Sequence, residues 1–306
     1  MDNDFSVTII GSNSATAAHG RFPTSQYLKL KNNHFLIDCG EGTQFRMSEF
    51  NIPKSHISKI FISHLHGDHF YGLVGLLTSY SLAKRTKTLE IYAPKGLKEI
   101  IEIQNKYSDA YFSYEIVYIE TQANEKAILF EDETVRVSSF PLKHRIDTTG
   151  FLFEEKNTEL KIIKEKISEY DLNVDEIVAF KNKKNLEREK GTLLNYSDFT
   201  YPESTPRSYA YCSDTLYNED LINCIFEATM LYHEATFDNK LLQLAEKTNH
   251  STTHQAATIA KKLNTKKLLI GHFSSRYHQL DILLNECKEI FENTEIAVEG
   301  ETYSIN

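Results

Sequence analysis

Residues 61–72 read FISHLHGDHFYG, and the run from Ser63 to His69 decides how the rest of the chain is read. His64, His66, Asp68 and His69 fall within six positions, directly after the apolar Ile60, Phe61 and Ile62. At the end of a buried strand, a two-residue step turns His64 and His66 toward one point. Gly67 is expected to relax the backbone so that Asp68 and His69 face a second point. Four ligands in one loop point to two ions. Imidazole and carboxylate at this density suit zinc, and manganese or iron accept the same donors. A solvated polar turn is the alternative, and it fits one lone histidine better than this spacing.

Two ions need more ligands than one loop supplies. His144 closes the apolar FPLKH, Asp214 follows SYAYCSD, and His272 follows LLIGH. All three read as strand ends, where open α/β sheets gather their chemistry. A carboxylate has two oxygens and can bridge two cations. The set then divides into His64, His66 and His144 on one ion and Asp68, His69 and His272 on the other, with Asp214 between them. Taken singly, His144, Asp214 or His272 reads equally well as a capped strand end.

Short apolar runs alternate with helical periodicity along the chain, which predicts a layered α/β architecture. SVTIIGS, HFLIDCG, SKIFISH, VRVSSFPLKH, SYAYCSD and KKLLIGHF read as strands. PKGLKEIIEIQNKY reads as a helix opened by Pro94, with Leu97, Ile100 and Ile101 at core spacing, and YHQLDILLNECKEIFE as a last long helix. Regularity weakens between about residues 153 and 207, which predicts an inserted arm in a single domain spanning residues 1–306.

The composition, 41% hydrophobic over 306 residues, is enough for a real core. A formal charge of −9 repels nucleic acid unless positive charge is gathered locally. The stretch KNKKNLEREK gathers some: Lys181, Lys183, Lys184, Arg188 and Lys190 outnumber Glu187 and Glu189 by three. On its own such a run is usually a solvated surface. Cys39, Cys212, Cys224 and Cys287 are scattered and form no Cys-x-x-Cys pair, which fits a reducing compartment. The acidic start and the lack of a long apolar run predict a cytoplasmic protein.

With SHLHGDH preceded by FLIDCGEG, the chain resembles the metallo-β-lactamase superfamily. Within it, CGEGTQFRM (39–47), HEATF (233–237), HST (250–252) and GHFSSRY (271–277) resemble the ribonuclease Z family of transfer-RNA 3′-processing endonucleases, in the short form. The matches run over nearly the whole chain. Departures sit in the N-terminal loop, where Ala17 and Ala18, then Arg21 and Phe22, stand at positions that usually carry Pro-Thr and Arg-Asn pairs.

The resemblance implies a four-layer αββα sandwich with Asp38 as a structural aspartate and the arm as an exosite for the transfer-RNA body. It implies a dinuclear, zinc-dependent endoribonuclease, acting as a homodimer, that removes the 3′ trailer from precursor tRNA and leaves a 3′-hydroxyl. Asp68 is then a ligand that also orients the attacking water. His250, at the entry of the helix HSTTHQAATIAKKL, is the proton donor, and Glu234 is the carboxylate that keeps it charged. Thr252 and Gln255 have capping-box spacing there. His233 and His254 are expected to be structural. Two rivals remain: a small-molecule phosphodiesterase or lactonase on the same scaffold, and an inactive RNA-binding or metal-storage module.

Overall fold

Period-two alternation along the strands builds the layers. Phe35 and Ile37 enter one core while Leu36 enters another, and Phe61 is set against Ile60 and Ile62 in the same way. Tyr209 and Tyr211 alternate likewise with Ala210 and Cys212. A strand that is apolar on both faces must be covered on both. The computed structural model describes residues 4–156, 160–188, 191–202 and 205–306.

Met1–Glu154 with Arg207–Asn306 forms one compact unit and Glu155–Pro206 a second. The first unit holds two seven-stranded sheets. One runs, edge to edge, Thr302–Ser304, Phe5–Gly11, Ser25–Leu30, Asn33–Ile37, Lys59–Phe61, Leu89–Ala93 and Ile116–Glu120. The other runs Thr294–Ile296, Lys267–Gly271, Met230–Glu234, Ser208–Cys212, Thr149–Glu155, Val135–Pro141 and Ala127–Glu131.

The sheets share a core rich in aromatic residues, in which the Phe61 and Tyr92 rings stack at 4.7 Å and Tyr211 and Tyr232 at 5.1 Å. Helices Leu73–Leu82 and Leu97–Ser108 cover the outer face of the first sheet, and Thr253–Lys262 and Asp281–Lys288 that of the second. This is the αββα layering that the resemblance implies. Strands Asn33–Ile37 through Ile116–Glu120 are mutually parallel, as are Ser208–Cys212 through Thr294–Ile296. Their carboxyl ends therefore open on common edges, the setting for a site.

The second unit pairs Leu160–Ile162 with Thr200–Pro202, and Leu186–Arg188 with Thr192–Leu194. Helices Lys164–Glu169 and Val174–Lys181 complete it around a small core of Leu172, Phe180, Leu194 and Phe199. Asn173 and Glu176 cap the second helix reciprocally.

Three local expectations are corrected. The helix expected from Pro94 begins at Leu97, because Gly96 at φ 102° ends the preceding turn in a non-helical conformation that other residues rarely adopt. Ile100 is 39% exposed, while Leu97 and Ile101 are buried. The last helix is short, Asp281–Lys288. All four cysteines are free thiols. Among the described residues no helix is long and apolar enough to cross a membrane.

Candidate metal centre and catalytic cleft

Each of the seven expected ligands stands in the turn that leaves a strand. Lys59–Phe61 leads into His64 and His66, and a single helical turn, Gly67–Phe70, carries Asp68 and His69. His144 follows Val135–Pro141, Asp214 follows Ser208–Cys212, and His272 follows Lys267–Gly271. Gly67 acts otherwise than expected. It is not among the positive-φ glycines, and a Cβ there would come within 2.2 Å of the exposed Tyr71 ring, so a larger residue would displace that ring and backbone freedom is not what glycine supplies here.

The side chains gather around Asp214 in two groups. One ligand atom each of His64, His66, His144 and Asp214 lies within 4.8 Å of the others, and Asp68, His69 and His272 form a second such group. Asp214 Oδ2 stands 3.6 Å from His64 Nε2 and 3.8 Å from His144 Nε2. Its Oδ1 stands 3.3 Å from His69 Nε2 and 3.2 Å from His272 Nε2. Asp214 thus turns one oxygen to each group. Asp68 Oδ2 lies 3.7 Å from His69 Nε2 and 3.5 Å from His272 Nε2.

The outward nitrogens of these rings are tied elsewhere. His69 Nδ1 donates to Asp38 Oδ2 at 2.8 Å, and His144 Nδ1 to the carbonyl of Asn249 at 2.8 Å. Thr236 Oγ1 is 2.9 Å from His272 Nδ1, and Ser63 Oγ 3.0 Å from His64 Nδ1. A proton held on Nδ1 leaves Nε2 with its lone pair aimed inward.

Asp38 also accepts from the Ser63 N–H at 2.7 Å and the Tyr211 hydroxyl at 2.6 Å. Asp38 and His272 adopt left-handed φ values of 53° and 59°, which non-glycine residues rarely do. Both turn sharply out of a strand to reach the site.

A direct test of fit is the state of the inward atoms. His69 Nε2, His272 Nε2 and Asp214 Oδ1 are buried with no hydrogen-bond partner among the described residues. Leaving such atoms unsatisfied costs about 1–3 kcal/mol each. A nitrogen and carboxylate set with its lone pairs converging fits a pair of divalent cations.

Electrostatics favour the same state. Burial, then neighbouring cationic rings, holds His64 well below the usual histidine value and brings His66 down to about 4. Burial opposes ionisation of Asp214 and Asp68, but the surrounding histidines outweigh it and hold both carboxyls below their usual range. His69 is the exception. Against the effect of burial, Asp214, Asp68 and Asp38 push it up, so a proton there competes with a cation.

Beside the centre, fully buried Glu234 fixes a second arrangement. Its Oε1 accepts from His250 Nδ1 at 3.0 Å and from the Thr215 N–H at 2.8 Å, and its Oε2 accepts from Thr236 Oγ1 at 2.6 Å. Burial disfavours a charged His250, yet Glu234 and Asp214 push its pKa up to about 9. His250 Nδ1 also groups with Asp214 and His272, but that nitrogen is already committed to Glu234. His250 precedes the helix Thr253–Lys262, whose capping box of Thr252 and Gln255 forms as expected. Ala256, Ile259, Ala260 and Leu263 are buried along its apolar face. His233 is buried with Nδ1 on the Glu234 carbonyl, whereas His254 lies on the helix away from the centre's grouped atoms.

These groups border a cleft of about 390 Å³ that His66, Asp68, Asp214, His250, Tyr71 and Arg145 help to line. The N-terminal loop closes one side. The Ala15 N–H donates to Asp68 Oδ2 at 2.7 Å, and Arg21 donates to Asn13 Oδ1 at 3.1 Å and to the carbonyls of Tyr277 and His278.

Sequence reasoning missed several contributors. Arg145, whose Nε lies 3.1 Å from His66 Nε2, directly follows His144, and Thr236 sits two residues after Glu234, so both were within reach of a closer reading. Tyr211, the Asn249 carbonyl and the Ala15 N–H carry no local signal, since they arrive through space.

The expected RNA-facing cations divide. Lys181, Lys183 and Lys184 are exposed. Arg188 instead clamps Glu176 through Nε and Nη2 at 2.9 and 2.8 Å and donates to the Tyr170 carbonyl at 2.7 Å, so its charge is spent inside the arm. Lys190 lies outside the described residues.

A sequence family described as Anti-Pycsar protein Apyc1 matches residues 5–162. A protein of Cytophaga hutchinsonii named Ribonuclease Z is 41% identical over 304 residues, covering 99% of this chain and 97% of that protein. Another of that name, from Bacteroides thetaiotaomicron, is 38% identical over 302 residues, covering 99% and 96%. Among solved structures, the short form of human tRNase Z aligns over 98% of this chain and 99% of its own with a TM-score of 0.72 and 26% identity.

Proposed function

The chain belongs to the ribonuclease Z family, and from that membership we propose that it is a metal-dependent endoribonuclease that removes the 3′ trailer from precursor transfer RNA. The observation that supports this most is the division of Asp214, with one carboxylate oxygen toward each cluster of histidines. His64, His66, His144 and Asp214 would hold one divalent cation and Asp68, His69, His272 and Asp214 a second, with zinc best suited to the donors. When bound, such a pair acidifies water and offsets negative charge on a phosphoryl group.

The chain's own residues do the rest. Asp68, its Oδ2 held by the Ala15 N–H, orients the attacking water and takes up its proton. As that oxygen bonds to phosphorus, the bond from phosphorus to the 3′-oxygen breaks. His250 donates its proton to the departing 3′-oxygen, which leaves a 3′-hydroxyl on the tRNA and the phosphate on the trailer. Glu234 keeps His250 charged until then. Arg145, at the rim of the cleft, offers a cation to a non-bridging phosphate oxygen.

Residues 155–206 serve in this reading as the arm that grips the tRNA body, with Lys181, Lys183 and Lys184 facing phosphate. The enzyme works as a cytoplasmic homodimer in which the arm of one copy serves the cleft of the other.

The test is incubation of purified protein with an end-labelled precursor tRNA, with and without chelator, followed by mapping of the cut. Metal-dependent cleavage at the trailer junction is expected. Hydrolysis of a chromogenic phosphodiester alone, with the precursor left intact, would transfer the assignment to a small-molecule phosphodiesterase.

A further inference from the structure

A chain of net charge −9 that handles RNA must segregate its cations, and the arm supplies fewer than its sequence promises. A second collection lies in the first unit. A groove of about 900 Å³ is lined by Lys54, Lys84, Arg85 and Lys87, with His56 and Gln44, and no aspartate or glutamate among the described residues borders it. None of these four cations pairs with a carboxylate among the described residues. Their charge therefore faces the groove uncompensated.

The groove is built rather than incidental. Arg85 lies over the Tyr80 ring at 5.0 Å and donates to the carbonyls of Lys87 and Thr88 at 2.8 and 3.2 Å, which fixes its place. Lys54 Nζ is held by Ser48 Oγ at 2.6 Å. Ser79 Oγ donates to Gln44 Oε1 at 2.7 Å, joining the helices Thr43–Glu49 and Leu73–Leu82 that form two walls.

Position matters as much as charge. Glu41 borders the catalytic cleft and Gln44 borders the groove. Three chain steps separate their Cα atoms by at most about 11 Å. That is about three nucleotide steps at 3.4 Å per step along one strand.

We propose that this groove carries the phosphate backbone of the substrate RNA beside the cleft. The proposal rests on the endoribonuclease reading above and adds to it a second RNA-holding surface, separate from the arm. Uncompensated lysines and a fixed arginine, with no acidic residue between them, suit a run of phosphates at roughly regular spacing better than a single anion.

The experiment uses the full chain, a transcript of a 3′-extended precursor tRNA, and binding measured in chelator so that no cleavage occurs. Lys84 and Lys87 are exposed, so Lys84→Glu/Lys87→Glu and the milder Lys84→Gln/Lys87→Gln should both fold. RNA affinity is expected to fall about tenfold or more for the Glu pair and less for the Gln pair. The slope of log affinity against log salt should shrink by about two. Hydrolysis of a chromogenic phosphodiester by the metal-loaded variants should stay at the wild-type rate. Unchanged affinity and salt slope in both folded variants would overturn the proposal and leave an acidic protein as the groove's occupant. That result leaves the nuclease reading standing if the wild type still cuts the precursor. A wild type that fails to cut it overturns the nuclease reading, whatever the groove binds.

Discussion

His250 Nδ1 stands 3.0 Å from Oε1 of Glu234, a carboxylate with no solvent exposure, whose other oxygen is held by Thr236. Buried acid and imidazole in this contact form a charge-assisted hydrogen bond, which keeps a proton on the histidine at neutral pH. Thr236 also touches His272, so one hydroxyl links Glu234 to an expected ligand.

Replacing His250 with Ala removes the donor and no expected ligand. Cleavage of precursor tRNA should fall about 10²- to 10⁴-fold while metal content and RNA affinity stay near wild type. Metal analysis that shows ions lost in proportion to activity would sink this role.

Glu234→Gln keeps the shape and removes the charge that raises His250 toward a pKa of about 9. The acid works only when protonated, so rate declines as pH rises through its pKa. With the carboxylate gone, that pKa drops and the declining limb of the rate profile moves to lower pH. A limb that stays in place in the variant would show that Glu234 does not set the proton donor.

Asp214→Asn tests the division of the centre. One oxygen serves each cluster, so both cations should be depleted together rather than one alone. Two ions retained per chain, counted by elemental analysis, would contradict the bridge.

Lys183→Glu with Lys184→Glu reverses two exposed charges on the arm. KM for folded precursor should rise roughly tenfold, with little change for a small chromogenic phosphodiester. Equal effects on the two substrates would remove the arm from substrate binding.

Much of the site was legible because its chemistry lies in short words at strand ends. HLHGDH, PLKH, CSD and IGH each place a ligand directly after an apolar run, and alternation in strands such as Asn33–Ile37 announces two buried faces. What escaped was contact across the fold. Gly67 is the local exception: Tyr71, four residues on at the end of the same helical turn, comes close enough to crowd a Cβ there. Arg188 read as an RNA-facing cation because Glu176, twelve residues away, becomes its partner only once the arm has folded. The groove around Lys84 and Lys87 was invisible for the same reason: Lys54 joins it from a distant stretch.

His64, His66, Asp68 and His69 come from the first sheet, and His144, Asp214 and His272 from the second. Neither half of the sandwich holds a complete grip, so a cation bound there would also rivet the halves together. By linkage, loading one such site would stabilise the closed assembly by about 2.7 kcal/mol at a hundredfold excess over its dissociation constant. Stripping the ions should therefore loosen amide protons on both halves at once, including strands far from any ligand.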